Sequence, residues 1–156
     1  MNTQKLSEMD FALDEGRFFA KSTRWPPSDP KSTIDTTEVF AMRDDVVGNY
    51  QVGGRVWVED YFFSVIFDVP LDAQSAEYDV GPQGITARYN VLHDNGEHEL
   101  YRAISGTIQL VVDPAYTQFS AKEFRFVGRW GSTETAEIYL GNFSILKLAK
   151  KSVSNR

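Results

Sequence analysis

Apolar and polar residues alternate along most of this chain in short runs broken by turn-forming residues. Three consecutive runs carry the pattern furthest: Tyr101–Val112, Glu123–Val127 and Ala136–Ile145 are rich in β-branched and aromatic residues, which predicts three strands of an antiparallel meander. On the first run Ile104, Gly106, Ile108, Leu110 and Val112 share one parity, while Ser105, Thr107 and Gln109 share the other. The first set is therefore expected to face the core. On the last run Ile138 and Leu140 have one parity and Phe143 and Ile145 the other. A one-residue slip reverses every side chain, so a bulge at Gly141-Asn142 is expected to restore the inward direction.

The rest of the chain reads in the same way. Asp10–Leu13 and Arg17–Ala20 flank Asp14-Glu15-Gly16, a pattern that predicts a tight first hairpin with Gly16 at positive φ. From Lys21 to Thr37 the composition shifts to Ser, Thr, Pro, Asp and Lys. Pro26, Pro27 and Pro30 remove ladder donors, which predicts a long loop with Trp25 at its mouth, and loops of this length are often functional. Glu38–Met42 is a short strand, after which Gly48, Gly53 and Gly54 predict irregular pairing around Asn49–Val52. Arg55–Val58 and Tyr61–Val69 form a second hairpin across Glu59-Asp60. The latter strand is apolar on both faces, as a central strand would be, and Pro70 ends it. Tyr78-Asp79-Val80 leads into the turn Gly81-Pro82-Gln83-Gly84. Ile85–Leu92 then joins Glu97–Val112 through His93-Asp94-Asn95-Gly96, where Asn-Gly predicts a type I′ turn.

Composition narrows the fold class. The 156 residues fit one domain with a sizeable core, and 42% hydrophobic residues, including eleven Phe and seven Tyr, supply ample apolar area. The expected architecture is a single-domain antiparallel β-sandwich over residues 10–148, with a lipocalin-like β-barrel as the alternative. Residues 1–9 and 149–156 read as flexible tails, although Leu6, Met9 and Leu13 have the spacing of one helical turn. The formal net charge of -6 argues against a nucleic-acid partner. Lys147, Lys150, Lys151 and Arg156 are the one local basic excess and read as a solvated tail. The absence of Cys removes disulfides, thiol catalysis and thiolate metal sites. No stretch approaches a membrane span and the start lacks the apolar core of a signal peptide, so the chain as written reads as cytoplasmic. A secretory leader removed beforehand would leave the same sequence on a secreted or surface-anchored protein.

In this order the signals resemble a large set of uncharacterised bacterial β-sandwich domains, many of them secreted or lipid-anchored. The resemblance rests on an aromatic strand, the turn Tyr78-Asp79-Val80-Gly81, the Ser105–Ile108 phrase, Asp113, the pair Phe124 and Phe126, and the closing Ile138, Gly141 and Phe143. It spans about two thirds of the chain and implies the fold, since the set has no agreed activity. The signal and lipidated Cys of the set are lacking here.

Candidate chemistry is sparse. His93 and His98 bracket Asp94–Glu97 across a turn, yet zinc sites want three or four ligands, so these read as surface residues and no metal or cofactor is expected. No Gly-x-Ser-x-Gly elbow occurs. Glu59, Asp60 and Asp68 lie on or beside aromatic strands, and Glu97 and Glu99 share a strand face, so paired carboxylates of a carbohydrate-active enzyme remain an alternative. Aromatic residues give the better hint. Trp57, Tyr61, Phe63 and Trp130 could line a groove, and Trp25 either anchors its loop on the neighbouring prolines, the simpler reading, or offers a ligand platform. The expected function is a non-enzymatic module binding a small molecule, glycan or protein, with no catalytic residues assigned. A lipocalin-like carrier of a small apolar molecule is a second alternative. An exposed aromatic patch would also suit homo-oligomer formation.

Overall fold

The computed structural model describes residues 13–148. Among the described residues ten strands follow one another as β1 (Glu15–Ser22), β2 (Thr33–Thr36), β3 (Val39–Asp44), β4 (Asn49–Val58), β5 (Tyr61–Pro70), β6 (Ala76–Asp79), β7 (Thr86–His93), β8 (His98–Val112), β9 (Gln118–Trp130) and β10 (Glu134–Leu146). All belong to one antiparallel sheet in the order β2-β1-β10-β9-β8-β7-β5-β4-β3, with β6 paired to the second half of β8. The all-β class and the β8-β9-β10 meander predicted by the alternation are both present. No helix among the described residues is long and apolar enough to cross a membrane.

The two ends of the sheet come back to each other. Asp14 bridges Val39, and its carboxylate accepts the backbone N–H groups of Ala41 (2.8 Å) and Leu148 (3.1 Å). On the same seam Lys147 donates from Nζ to the Ala41 carbonyl at 2.7 Å. Farther along, the Thr36 hydroxyl of β2 donates to the Arg55 carbonyl of β4 at 2.8 Å. The sheet is thus nearly closed into a barrel-like shape, a geometry compatible with both the sandwich and the barrel descriptions.

Inward side chains interlock across this shape. Phe67 of β5 meets Phe124 of β9 edge-on at 4.8 Å, and Phe18 of β1 stacks on Phe143 of β10 at 5.7 Å. At one end Tyr50, Tyr116 and Phe119 pack together. At the other, a chain of rings runs from Trp25 to Trp130.

Several local expectations are corrected. Gly16 has positive φ (145°) but lies inside β1 opposite Ile145, not in a hairpin turn, and Asp10–Ala12 lie outside the described residues. So do Leu6 and Met9 of the expected helical turn, and Lys150, Lys151 and Arg156 of the expected basic tail. Lys147 is tied to Ala41 and not a solvated tail residue. The 21–37 stretch is not all loop: Pro30–Ser32 is a 3-10 turn capped by Asp29, and β2 pairs with β1. β4 pairs without a register shift on either side, because Gly53 and Gly54 face the Val65 carbonyl and the Phe18 side chain at distances too short for a Cβ. The 93–96 turn is not type I′, since Gly96 alone takes positive φ (95°). Gly96 N–H donates to the His93 carbonyl and His93 N–H to the Glu97 carbonyl, the pattern of a type I turn followed by a left-handed Gly.

On β8 the register shifts between Ala103 and Ser105. Glu99, Tyr101 and Ala103 point inward before the shift, Ile108 and Leu110 after it, and Ile104 is exposed. β10 shifts register against β9 twice: between Gly141 and Phe143, across the expected position, and just before it between Ile138 and Gly141, where the bulge at Tyr139-Leu140 reverses the inward direction. Leu140 takes φ 52° and points to solvent, while Gly141 resumes the inward direction under the Phe124 ring.

Candidate functional site

The end of the sheet that holds the start of β8 buries the carboxylate of Glu99; Asp14, the other buried carboxylate among the described residues, lies on the closing seam. Glu99 enters the interior because the odd positions of β8 face inward up to the bulge. A lone carboxylate there would be costly to bury, and it is met from three sides. Arg24, just past β1, donates through Nε to Oε1 (2.8 Å) and through a terminal nitrogen to Oε2 (2.9 Å), a two-pronged pair. The Tyr101 hydroxyl donates to Oε1 at 2.7 Å, and His93 Nε2 lies 3.2 Å from Oε2. Arg24 above all, then Tyr101 and His93, pull the Glu99 carboxyl down to about 2, against the opposing effect of burial. Reciprocally the Arg24 guanidinium is held charged well above its ordinary range, chiefly by Glu99. Burial, with the bond to the Glu99 anion, pushes the Tyr101 hydroxyl up, and burial does the same to Tyr89.

Aromatic rings wall this network. Trp25 packs edge-on against Tyr61 at 4.9 Å and near Phe63 at 6.0 Å, and its indole N–H donates to the Tyr89 hydroxyl at 3.3 Å. The rings continue from Phe63 to Tyr89 (6.0 Å), Tyr101 (5.6 Å) and Trp130 (6.1 Å), and Tyr61 also meets the His93 ring at 4.5 Å. Two cations lie over the Trp25 ring, Arg24 at 4.1 Å and Lys31 Nζ at 4.9 Å. Lys31 is itself paired with Asp29 (3.1 Å) and Glu59 (3.2 Å), which draws the 23–32 segment across this end.

Trp25, Tyr61, Phe63 and Trp130 thus belong to one connected cluster. Phe63 is fully buried, Tyr61 and Trp25 half-buried, and Trp130 38% exposed at the rim. Trp57 is elsewhere: it lies on the outer face against Phe62 at 5.2 Å. Trp25 is held between the Tyr61 and Phe63 rings and the Arg24 and Lys31 cations. The two histidines diverge, His93 to Glu99 and His98 to the Asn90 side-chain carbonyl on the opposite face. Among the described residues no group of three or more His, Asp or Glu is placed to hold a metal. The carboxylates separate as well. Glu97 is exposed while Glu99 is buried, and Asp68 lies on the outer face with Arg88 and Thr86.

Arg24, Tyr89 and Tyr101 carry the network without standing out in the sequence. The usable signal was the alternation Glu99, Tyr101, Ala103, which places a carboxylate and a phenol on the inward face. It was hidden because the apolar residues beyond the bulge have the other parity. Among known proteins, no family model, curated protein or solved structure matches this chain.

Proposed function

We propose that this protein is a non-enzymatic binding module whose ligand seats at the Trp25–Trp130 end of the sheet. One observation carries the reading: both oxygens of Glu99 are already engaged by Arg24, Tyr101 and His93 within a wall of rings. A carboxylate so held is a fixed anion and a poor proton donor. The acid of a glycosidase needs its pKa raised, so the arrangement favours recognition over carbohydrate cleavage. Rings with a fixed polar network at their centre are the composition of small-molecule and glycan sites. The near closure of the sheet supports the second reading, a carrier of a small apolar molecule, with the ligand at the ring-lined end because the middle is filled by Phe18, Phe67, Phe124 and Phe143.

Nuclear magnetic resonance titration with a panel of disaccharides, aromatic carboxylates and medium-chain fatty acids tests this. Saturable shifts are expected at the indole N–H of Trp25 and Trp130 and at the His93 ring, with Trp57 unmoved as the outer-face control. Shifts confined to Trp57 and its neighbours, or none at the Trp25 end with any class, would refute the assignment. A glycan and a fatty acid are told apart by which arm of the panel saturates.

A further inference from the structure

Three arginines far apart in the chain meet on the outer face of the sheet. Arg88 of β7 is in register with Arg102 of β8, and Arg102 with Arg129 of β9. Their neighbours Ala87, Tyr89, Tyr101, Ala103 and Gly128 are buried inward, so all three side chains leave from the opposite face. Adjacent strands lie about 4.8 Å apart, so the row spans about 10 Å. Asp68 holds Arg88 through contacts of 3.0 and 3.3 Å, and farther along β9 Glu137 holds Arg125 at 3.0 Å. Among the described residues, the side chains of Arg102 and Arg129 make neither a hydrogen bond nor an ion pair, their backbones being paired in the sheet. Like charges directly opposite on neighbouring strands destabilise a sheet. In a chain with 22 acidic and 16 basic residues, a basic row with two of its three members left without a counter-charge is a feature that the fold does not need.

We propose that Arg88, Arg102 and Arg129 form a binding site for a small ligand carrying two or more linked phosphate groups. A guanidinium presents its donors as a planar fork that matches a phosphate two at a time, and three forks in a row suit neighbouring phosphates better than one. Arg102 and Arg129 supply most of the attraction, because Asp68 already offsets Arg88. The net charge of -6 opposes a long polyanion such as a nucleic acid, whereas the local row governs a ligand no larger than the screening length of about 8 Å. The site is on the other face of the sheet from Trp25 and stands whether or not the ring-lined end binds anything.

Isothermal titration of the full chain with inorganic tripolyphosphate and with orthophosphate, at low and raised salt, tests the site. Tripolyphosphate is expected to bind saturably with one site, orthophosphate about tenfold more weakly, and added salt to weaken both. Arg102→Gln with Arg129→Gln should weaken tripolyphosphate binding by about tenfold or more, and Arg125→Gln, which removes a paired arginine on the same face, by less than about twofold. Circular dichroism of each variant shows that the fold is kept. No saturable tripolyphosphate binding by the folded protein, unchanged affinity in the double variant, or an equal loss in Arg125→Gln overturns the proposal, the last because diffuse surface charge would then suffice.

Discussion

Glu99 shows how much one residue can ask of its surroundings. Its anion is stabilised by Arg24, Tyr101 and His93, so Glu99→Gln leaves Arg24 without its counter-charge and weakens two charge-assisted bonds. Arg24 keeps some contact with solvent (29% side-chain exposure), which limits the damage relative to a fully buried pair. The expected loss is about 2–3 kcal/mol, measured by denaturant unfolding at neutral pH. The pH dependence follows from the same shift. A carboxyl held at about 2 when folded and near 4.5 when unfolded stabilises the fold fully above 4.5, and that stabilisation disappears as pH falls toward 2. Glu99→Gln should therefore flatten the acid limb of stability against pH, though not abolish it, because Asp29 and Asp113 are also held below their ordinary values. At the alkaline end, Tyr101 and Tyr89 are held neutral above their ordinary range. Their contribution is complete below pH 10 and is lost as the pH rises past it.

At the scale of elements, two strands owe their direction to bulges. In β10 the bulge sets Leu140 at φ 52° and tucks Gly141 where an added Cβ would lie 2.3 Å from the Phe124 ring. Gly141→Ala should cost about 1–3 kcal/mol by overpacking. Leu140→Asn, at an exposed site whose left-handed backbone Asn tolerates better, should be neutral or stabilising by up to about 1 kcal/mol. Thermal unfolding of both variants separates a strained bulge from a strand that simply alternates: in the latter case Leu140→Asn would carry the larger loss. The parity switch in β10 announces the bulge but not its address, because Gly141-Asn142 looks the more natural break until the register with β9 is known. In β8 the switch is concealed, since Ile104 is apolar and continues the even run while pointing outward. Across β7, β8 and β9 the arginine row carries a stability consequence of its own. Arg102 faces an arginine on either side, so Arg102→Gln should raise stability by about 0.2–1 kcal/mol. A fall in melting temperature instead would show that Arg102 has a structural role.

For the molecule as a whole, closure depends on a small seam. Asp14 accepts two backbone N–H groups, one from β3 and one just past β10, and joins segments that are distant along the chain. Asp14→Ala should cost about 2–3 kcal/mol and speed hydrogen exchange at Ala41 and Leu148 well above the average for the sheet. Uniform exchange would mean that the seam contributes no more than any other pair of strands. The sequence by itself determined most of the strands, though not β2, together with most of their hairpins and the aromatic interior, because alternation and turn chemistry are local and recur every few residues. It also marked Trp25, Tyr61, Phe63 and Trp130 as rings worth watching, though it grouped Trp57 with them. Tertiary structure alone decided which of those rings share an end, that Arg24 would meet Glu99 across 75 positions of chain, and that Arg88, Arg102 and Arg129 would line up. Those outcomes depend on register and on the placement of bulges, where a shift of one residue moves a side chain from the core to solvent, and only the pairing of distant strands sets that shift.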